Sequence, residues 1–205
     1  LYKMNNRTSD VNLIFSTPVW TTILKNHTEV NNKIHVYIQN LKSNDPNGVI
    51  RSNLLGWHSK GFDLKEHGIK FFIDAIFPII NESLIDMGWD LKKNEIKITE
   101  MWSIINPKNT SNSRHIHGNN FISAAYYVKA PLDSGAIVFY DPRSANVIQS
   151  PIINNKNKLN STTFSVTPKE GLLVLFPSYL HHSVDINKSD QERIVISFNI
   201  NLLRK

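Results

Sequence analysis

At 205 residues, with 40% hydrophobic and 20% charged side chains, the chain has the length of one sizeable domain and the composition of an ordinary globular protein. It contains no Cys, which excludes disulfides, thiolate metal sites, iron–sulfur clusters and thiol nucleophiles and is in keeping with a cytoplasmic setting. The net charge of +6 is spread along the chain without a basic block. A solvated surface is therefore expected, with no nucleic-acid partner. No apolar run reaches the roughly 18–20 residues of a membrane span, so no membrane partner is expected either. The polar first residues lack the apolar stretch of a leader peptide, and Leu1–Lys3, which precede Met4, are set aside.

Val11 to Trp20 mixes β-branched and aromatic residues, and Pro18 confines it to an edge strand. From Thr28 to Leu41, apolar residues at Val30, Ile34, Tyr37 or Ile38, and Leu41 recur at three- and four-residue steps and predict an amphipathic helix. The turn residues of Ser43 to Gly48 close it. Arg51 to Phe62 has no clear period and reads as an ordered loop or short strand. A second helix is expected over Ile69 to Met87, with a stripe of Phe72, Ile73, Ile76, Ile80, Leu84 and Met87. Pro78 should kink or divide it.

After Asp90 the texture changes to short runs rich in Val, Ile, Phe, Tyr and Thr, separated by Gly, Pro, Asn and Ser. They are Ile96–Ile105, Phe121–Val128, Ala136–Tyr140, Asn146–Ser150, Thr162–Thr167, Leu172–Phe176, His182–Ile186 and Arg193–Leu202. Such segments at fairly even spacing predict a mainly β fold, an antiparallel sandwich or jelly roll with a ligand-sized mouth. The helical N-terminal portion, residues 1–90, should pack on one sheet of this core, residues 91–205, in one domain.

Four of the eight His residues fall in two tight clusters, His115/His117 and His181/His182. In a strand, residues two apart share a face, so His115 and His117 can aim at one point. A later His completing the set would give three neutral imidazoles, a good donor set for iron, zinc, copper or nickel. A lone His is more often a surface or capped residue, and His27, His35, His58 and His67 are read that way.

The arrangement then resembles a known family. His-x-His ahead of a strand, Phe176-Pro177-Ser178-x-Leu180-x-His182, and Arg193 eleven residues on are similar to the iron(II)- and 2-oxoglutarate-dependent oxygenases. More narrowly they resemble a family of oxygenases from bacteria and their viruses that carries His-x-His. Further landmarks of the resemblance are Leu13–Pro18, Ser52–Ser59, Trp102–Pro107 and Ser134–Arg143. The resemblance implies a double-stranded β-helix, a jelly-roll variant. It implies ferrous iron as cofactor, held by His115, His117 and His182, and 2-oxoglutarate as cosubstrate. His182 matches the family's distal ligand and His181 should face away. Arg193 would bind the distal carboxylate of 2-oxoglutarate, since guanidinium forks onto carboxylates. Where the family pattern has Ser this chain has Val195, and Tyr126 or Asn119 are candidates to supply a polar contact in its place. At His117 the wider superfamily has a carboxylate; Asp133, Asp141 and Glu170 are the acidic groups able to intrude. Asp141 belongs to a tight Asp-Pro-Arg turn, so a structural role is expected for it.

Trp102, Tyr126, Tyr127, Phe139 and Phe176 are candidates to line the pocket, although aromatics also dominate cores. Arg114, Arg143 and Trp102 are candidates to bind substrate. The implied reaction is hydroxylation of a small-molecule or peptidyl substrate with release of succinate and CO2. Two other readings stand beside it. One is a cupin-like metal-binding jelly roll without 2-oxoglutarate turnover; the other is a three-histidine dioxygenase that needs no cosubstrate.

Overall fold

The computed structural model describes residues 10–143 and 151–205. Eleven strands and two helices are formed by these residues. The elements are β1 (Trp20–Ile23), α1 (His27–Asn44), β2 (Asn53–Leu54), β3 (Trp57–His58), α2 (His67–Asp86), β4 (Asn94–Asn106) and β5 (Ser111–His115). They continue with β6 (Ile122–Lys129), β7 (Ile137–Tyr140), β8 (Thr163–Val166), β9 (Leu172–Pro177), β10 (His182–Val184) and β11 (Arg193–Arg204). Two antiparallel sheets result, a six-stranded one in the order β1-β9-β6-β11-β4-β3 and a five-stranded one in the order β2-β5-β10-β7-β8. This is the expected mainly β jelly roll, with both helices against the larger sheet. The expected strand at Asn146–Ser150 lies outside the described residues.

The six-stranded sheet is buried on both faces. Its outer face (Met101, Ile105, Tyr126, Ile194, Ile196, Phe198) packs on Ile34 and Ile38 of α1 and on Ile69, Phe72, Ile76 and Ile80 of α2. Its inner face (Ala125, Tyr127, Val174, Phe176, Val195) packs on Ile137 and Phe139 of the smaller sheet. Strands covered on both sides cannot show polar–apolar alternation. That is why β6 and β9 read as near-continuous apolar runs, whereas β11 does so only over Ile194–Ile196.

Three local expectations change. The N-terminal strand begins only at Trp20, and Leu13, Ile14 and Phe15 are exposed. It is nonetheless an edge strand, paired through Trp20↔Leu175 to Ile23↔Leu172. Helix α2 runs unbroken through Pro78. Proline deprives the Asp74 carbonyl of its donor, and both residues face solvent, where water can replace the bond. Finally, Ser111–His115 forms a strand that its Asn- and Ser-rich composition does not announce. Among the described residues no helix is long and apolar enough to cross a membrane.

Candidate metal centre

The mouth between the sheets holds a cavity of about 430 Å³. Its floor is a set of cross-strand rows on the larger sheet. Arg193 pairs with Asn106; Val195 pairs with Ile104 on one side and Tyr127 on the other; Ser197 pairs with Trp102 and Ala125. His58, on edge strand β3, pairs with Ile104 and extends that row. The roof is built by β5, β10 and β7.

His115, His117 and His182 each present a ring nitrogen within 4.8 Å of the others. His182 lies directly opposite His115 in the β10–β5 register, which places their rings 4.3 Å apart between centroids. His117 stands 5.1 Å from each. It does so by another route than strand alternation, because β5 ends at His115 and His117 belongs to the turn that follows. The N–H of His117 donates to the Ser178 carbonyl at 3.0 Å, and Ser178 is itself buried, its hydroxyl 2.7 Å from that of Ser123. The Phe-Pro-Ser-x-Leu-x-His run therefore has a visible purpose. Ser178 pins His117, and the Leu180 carbonyl accepts the Nδ1–H of His182 at 3.0 Å.

The Ser113 carbonyl likewise accepts the Nδ1–H of His115 at 2.7 Å. A carbonyl only accepts, so in both rings Nδ1 carries the proton and Nε2 is left with its lone pair. Burial, with the neighbouring imidazoles adding to it, pushes His117 down to about 4 and His182 down to about 3; burial also lowers His115. All three rings are neutral at pH 7, the state in which imidazole binds a metal. The donor set thus fits a divalent transition ion such as ferrous iron. His181 is exposed and turned away. Asp133, Asp141 and Glu170 do not join the cluster. Asp141 closes its turn instead, holding Arg143 at 3.0 and 2.8 Å.

Arg193 is fully buried and lines the same cavity. One of its terminal nitrogens, Nη1, donates to the carbonyls of Ser134 and Gly135, the latter at 2.9 Å. A side chain at Gly135, whose φ is +87°, would strike the Asp185 carbonyl and crowd this guanidinium. Nε and Nη2 have no hydrogen-bond partner. Burial lowers the pKa of the group, opposed by Tyr127 and Asp185. A buried guanidinium with two idle donors fits a carboxylate ligand, since an uncompensated charge in such a place is costly.

Other expected residues fall differently. Tyr126 points to the outer face, where its hydroxyl donates to Asn31 at 2.7 Å; the tyrosine in the cavity is Tyr127. Asn119 is exposed with φ +62°, and its carbonyl accepts from Asn201. Neither takes the place left by Val195. Arg114 lies over the Tyr140 ring at 4.2 Å and Arg143 is engaged by Asp141, both outside the cavity lining. Trp102 does line the cavity, its ring 5.5 Å from that of His117. Asn106 and His58 also line the cavity, and the sequence reading did not single them out for it. His58, expected at the surface or capped, is buried on β3.

Residues 100–199, just under half of the chain, match the family described as "Putative 2OG-Fe(II) oxygenase". A prolyl-4-hydroxylase from Pseudomonas putida superposes with a TM-score of 0.65 at 12% identity, covering 93% of this chain and 94% of that one. The viral collagen prolyl hydroxylase of Paramecium Bursaria Chlorella virus-1, solved with 2OG, gives 0.57 at 16% identity over 89% and 94%. HygX from Streptomyces hygroscopicus, solved with nickel, 2-oxoglutarate and hygromycin B, gives 0.61 at 10% identity over 90% and 83%. No curated protein matches the sequence. The family match spans all three clustered histidines, and the jelly roll is shared over nearly its whole length with the prolyl-4-hydroxylase.

Proposed function

We propose that the protein is a 2-oxoglutarate-dependent hydroxylase whose iron is held by His115, His117 and His182 and whose cosubstrate is anchored by Arg193 and Tyr127. Iron and cosubstrate together supply the oxidising power for hydroxylating an unactivated C–H bond with O2, releasing succinate and CO2. The residues supply placement. The Leu180 and Ser113 carbonyls fix two imidazoles with Nε2 forward, and the Ser178 carbonyl sets the third ring's backbone. Arg193 offers Nε and Nη2 to a distal carboxylate, and Tyr127 lines the same cavity. The covered sheet behind them excludes water. Three neutral ligands leave the site one charge more positive than two histidines and a carboxylate would, and the cosubstrate dianion offsets part of this.

The observation that carries the reading is the pair of idle donors on buried Arg193 in the cavity of the three histidines. It also favours this reading over a three-histidine dioxygenase without cosubstrate, which has no use for a buried cation. Anaerobic titration with ferrous iron, with and without 2-oxoglutarate, tests it. A metal-to-ligand charge-transfer band that needs both is expected, followed in air by stoichiometric succinate. Iron binding without any effect of 2-oxoglutarate would overturn it.

The substrate is a small molecule or a peptidyl group, with neither nucleic acid nor membrane as partner. The cytoplasm, where ferrous iron and 2-oxoglutarate are supplied, is the proposed compartment, and the whole chain acts as one domain.

A further inference from the structure

One wall of the cavity is not used by the metal or by the cosubstrate anchor. It consists of His58 and Trp102, stacked with centroids 5.7 Å apart and planes 10° from parallel. Trp102 in turn packs on the ring of His117, so the pair begins at a metal ligand and runs outward. The Nδ1–H of His58 donates to the Ser59 carbonyl at 2.6 Å. Burial keeps the ring neutral by lowering its pKa. Its Nε2 is therefore a fixed acceptor. The indole N–H of Trp102 is a buried donor with no partner. A buried polar group of this kind is normally satisfied, so the wall is incomplete without a ligand.

Donor and acceptor belong to the two stacked rings of one wall. In an extended peptide the N–H and C=O of one residue point to the same edge, as they do when two antiparallel strands exchange a pair of bonds. Close in the chain to Arg51 and Ser52, Ile50 and Leu55 are 88% and 89% exposed and Leu54 is exposed, as is Ile116 beside His115 and His117. Arg51 and Ser52, next to this apolar rim, line the cavity, as does Ile116. An apolar rim outside a polar wall suits a chain that continues beyond the cavity better than a small polar molecule.

From this juxtaposition we infer that the hydroxylated substrate is a peptide segment in extended conformation, one residue of which gives its C=O to Trp102 Nε1 and its N–H to His58 Nε2. The inference rests on the function proposed above and adds to it a substrate class and a reading residue, His58.

The test uses the whole protein, loaded anaerobically with ferrous iron and 2-oxoglutarate, and follows indole fluorescence. The probes are N-acetyl amino-acid N-methylamides, one for each protein side chain. For each that binds, the O-acetyl 2-hydroxy-acid counterpart, with the residue's own N–H replaced by oxygen, is compared. The wild type should bind at least one amide and bind its oxygen counterpart about tenfold more weakly. His58→Leu should bind both equally and weakly, His58→Gln should keep part of the preference, and Trp102→Phe should weaken both alike. In all three variants iron and 2-oxoglutarate should bind as in the wild type. If no amide binds, or the wild type does not distinguish amide from oxygen counterpart, the inference is overturned. Failure at the loading stage would instead overturn the oxygenase reading, and this inference with it.

Discussion

His182 faces His115 across the β10–β5 pairing, although sixty-odd residues of chain and four strands, β6 to β9, separate them. The sheet makes this juxtaposition, and the side chains need add little. His181, one residue earlier and just ahead of β10, is exposed. His182→Ala should thus lose most iron after anaerobic reconstitution, whereas His181→Ala should retain it. Metal content per chain measures both, and the reverse order would reassign the ligand.

Arg193 and the two adjacent tyrosines form a second test. Removing a buried, hydrogen-bonded charge partner costs about 2–5 kcal/mol. Arg193→Ala should accordingly weaken 2-oxoglutarate by roughly 30-fold or more while iron is kept. Tyr127→Phe should weaken it several-fold. Tyr126→Phe should leave 2-oxoglutarate affinity unchanged and lower stability by about 1–3 kcal/mol, because Asn31 loses its buried partner. Calorimetry of cosubstrate binding alongside denaturant unfolding separates the two tyrosines.

The third ligand reaches the cluster from a turn, pinned by one backbone bond to Ser178. His117→Asp should still bind iron, since carboxylate oxygen replaces imidazole nitrogen in related donor sets. His117→Ala should bind iron less tightly, with partial rescue by added imidazole. Equal iron affinity and equal succinate formation in His117→Ala would refute a three-histidine site.

Acid should destabilise the metal-free protein through these rings. In the unfolded chain their pKa is roughly 6.5, while in the folded one His117 lies at about 4 and His182 at about 3. Between those values the unfolded state binds more protons, so stability rises with pH. It is fully present above the unfolded pKa and is lost as pH falls through the folded values. Unfolding midpoints of metal-free protein should drop from pH 7 to pH 4, and His182→Leu should flatten the slope. An unchanged slope in that variant would mean that His182 is not held neutral by the fold.

The local signals were in the sequence: His115-x-His117, the Phe-Pro-Ser-x-Leu-x-His run, the interval to Arg193, and two helical stripes followed by short β-branched runs. These are short-range patterns, set by chain geometry and by the few residue types that bind metal or carboxylate. Which tyrosine faces the cavity was not legible, because β6 is buried on both faces and gives no alternation from which to read a face. Tertiary structure decided it by placing Val195 beside Tyr127 and α1's Asn31 beside Tyr126. It also took Arg114 and Arg143 out of the cavity, through Tyr140 and Asp141, and brought in His58, which only the β3–β4 pairing carries to Ile104. Pairing register and the side of a doubly covered sheet depend on partners far away in the chain, and no local window contains them.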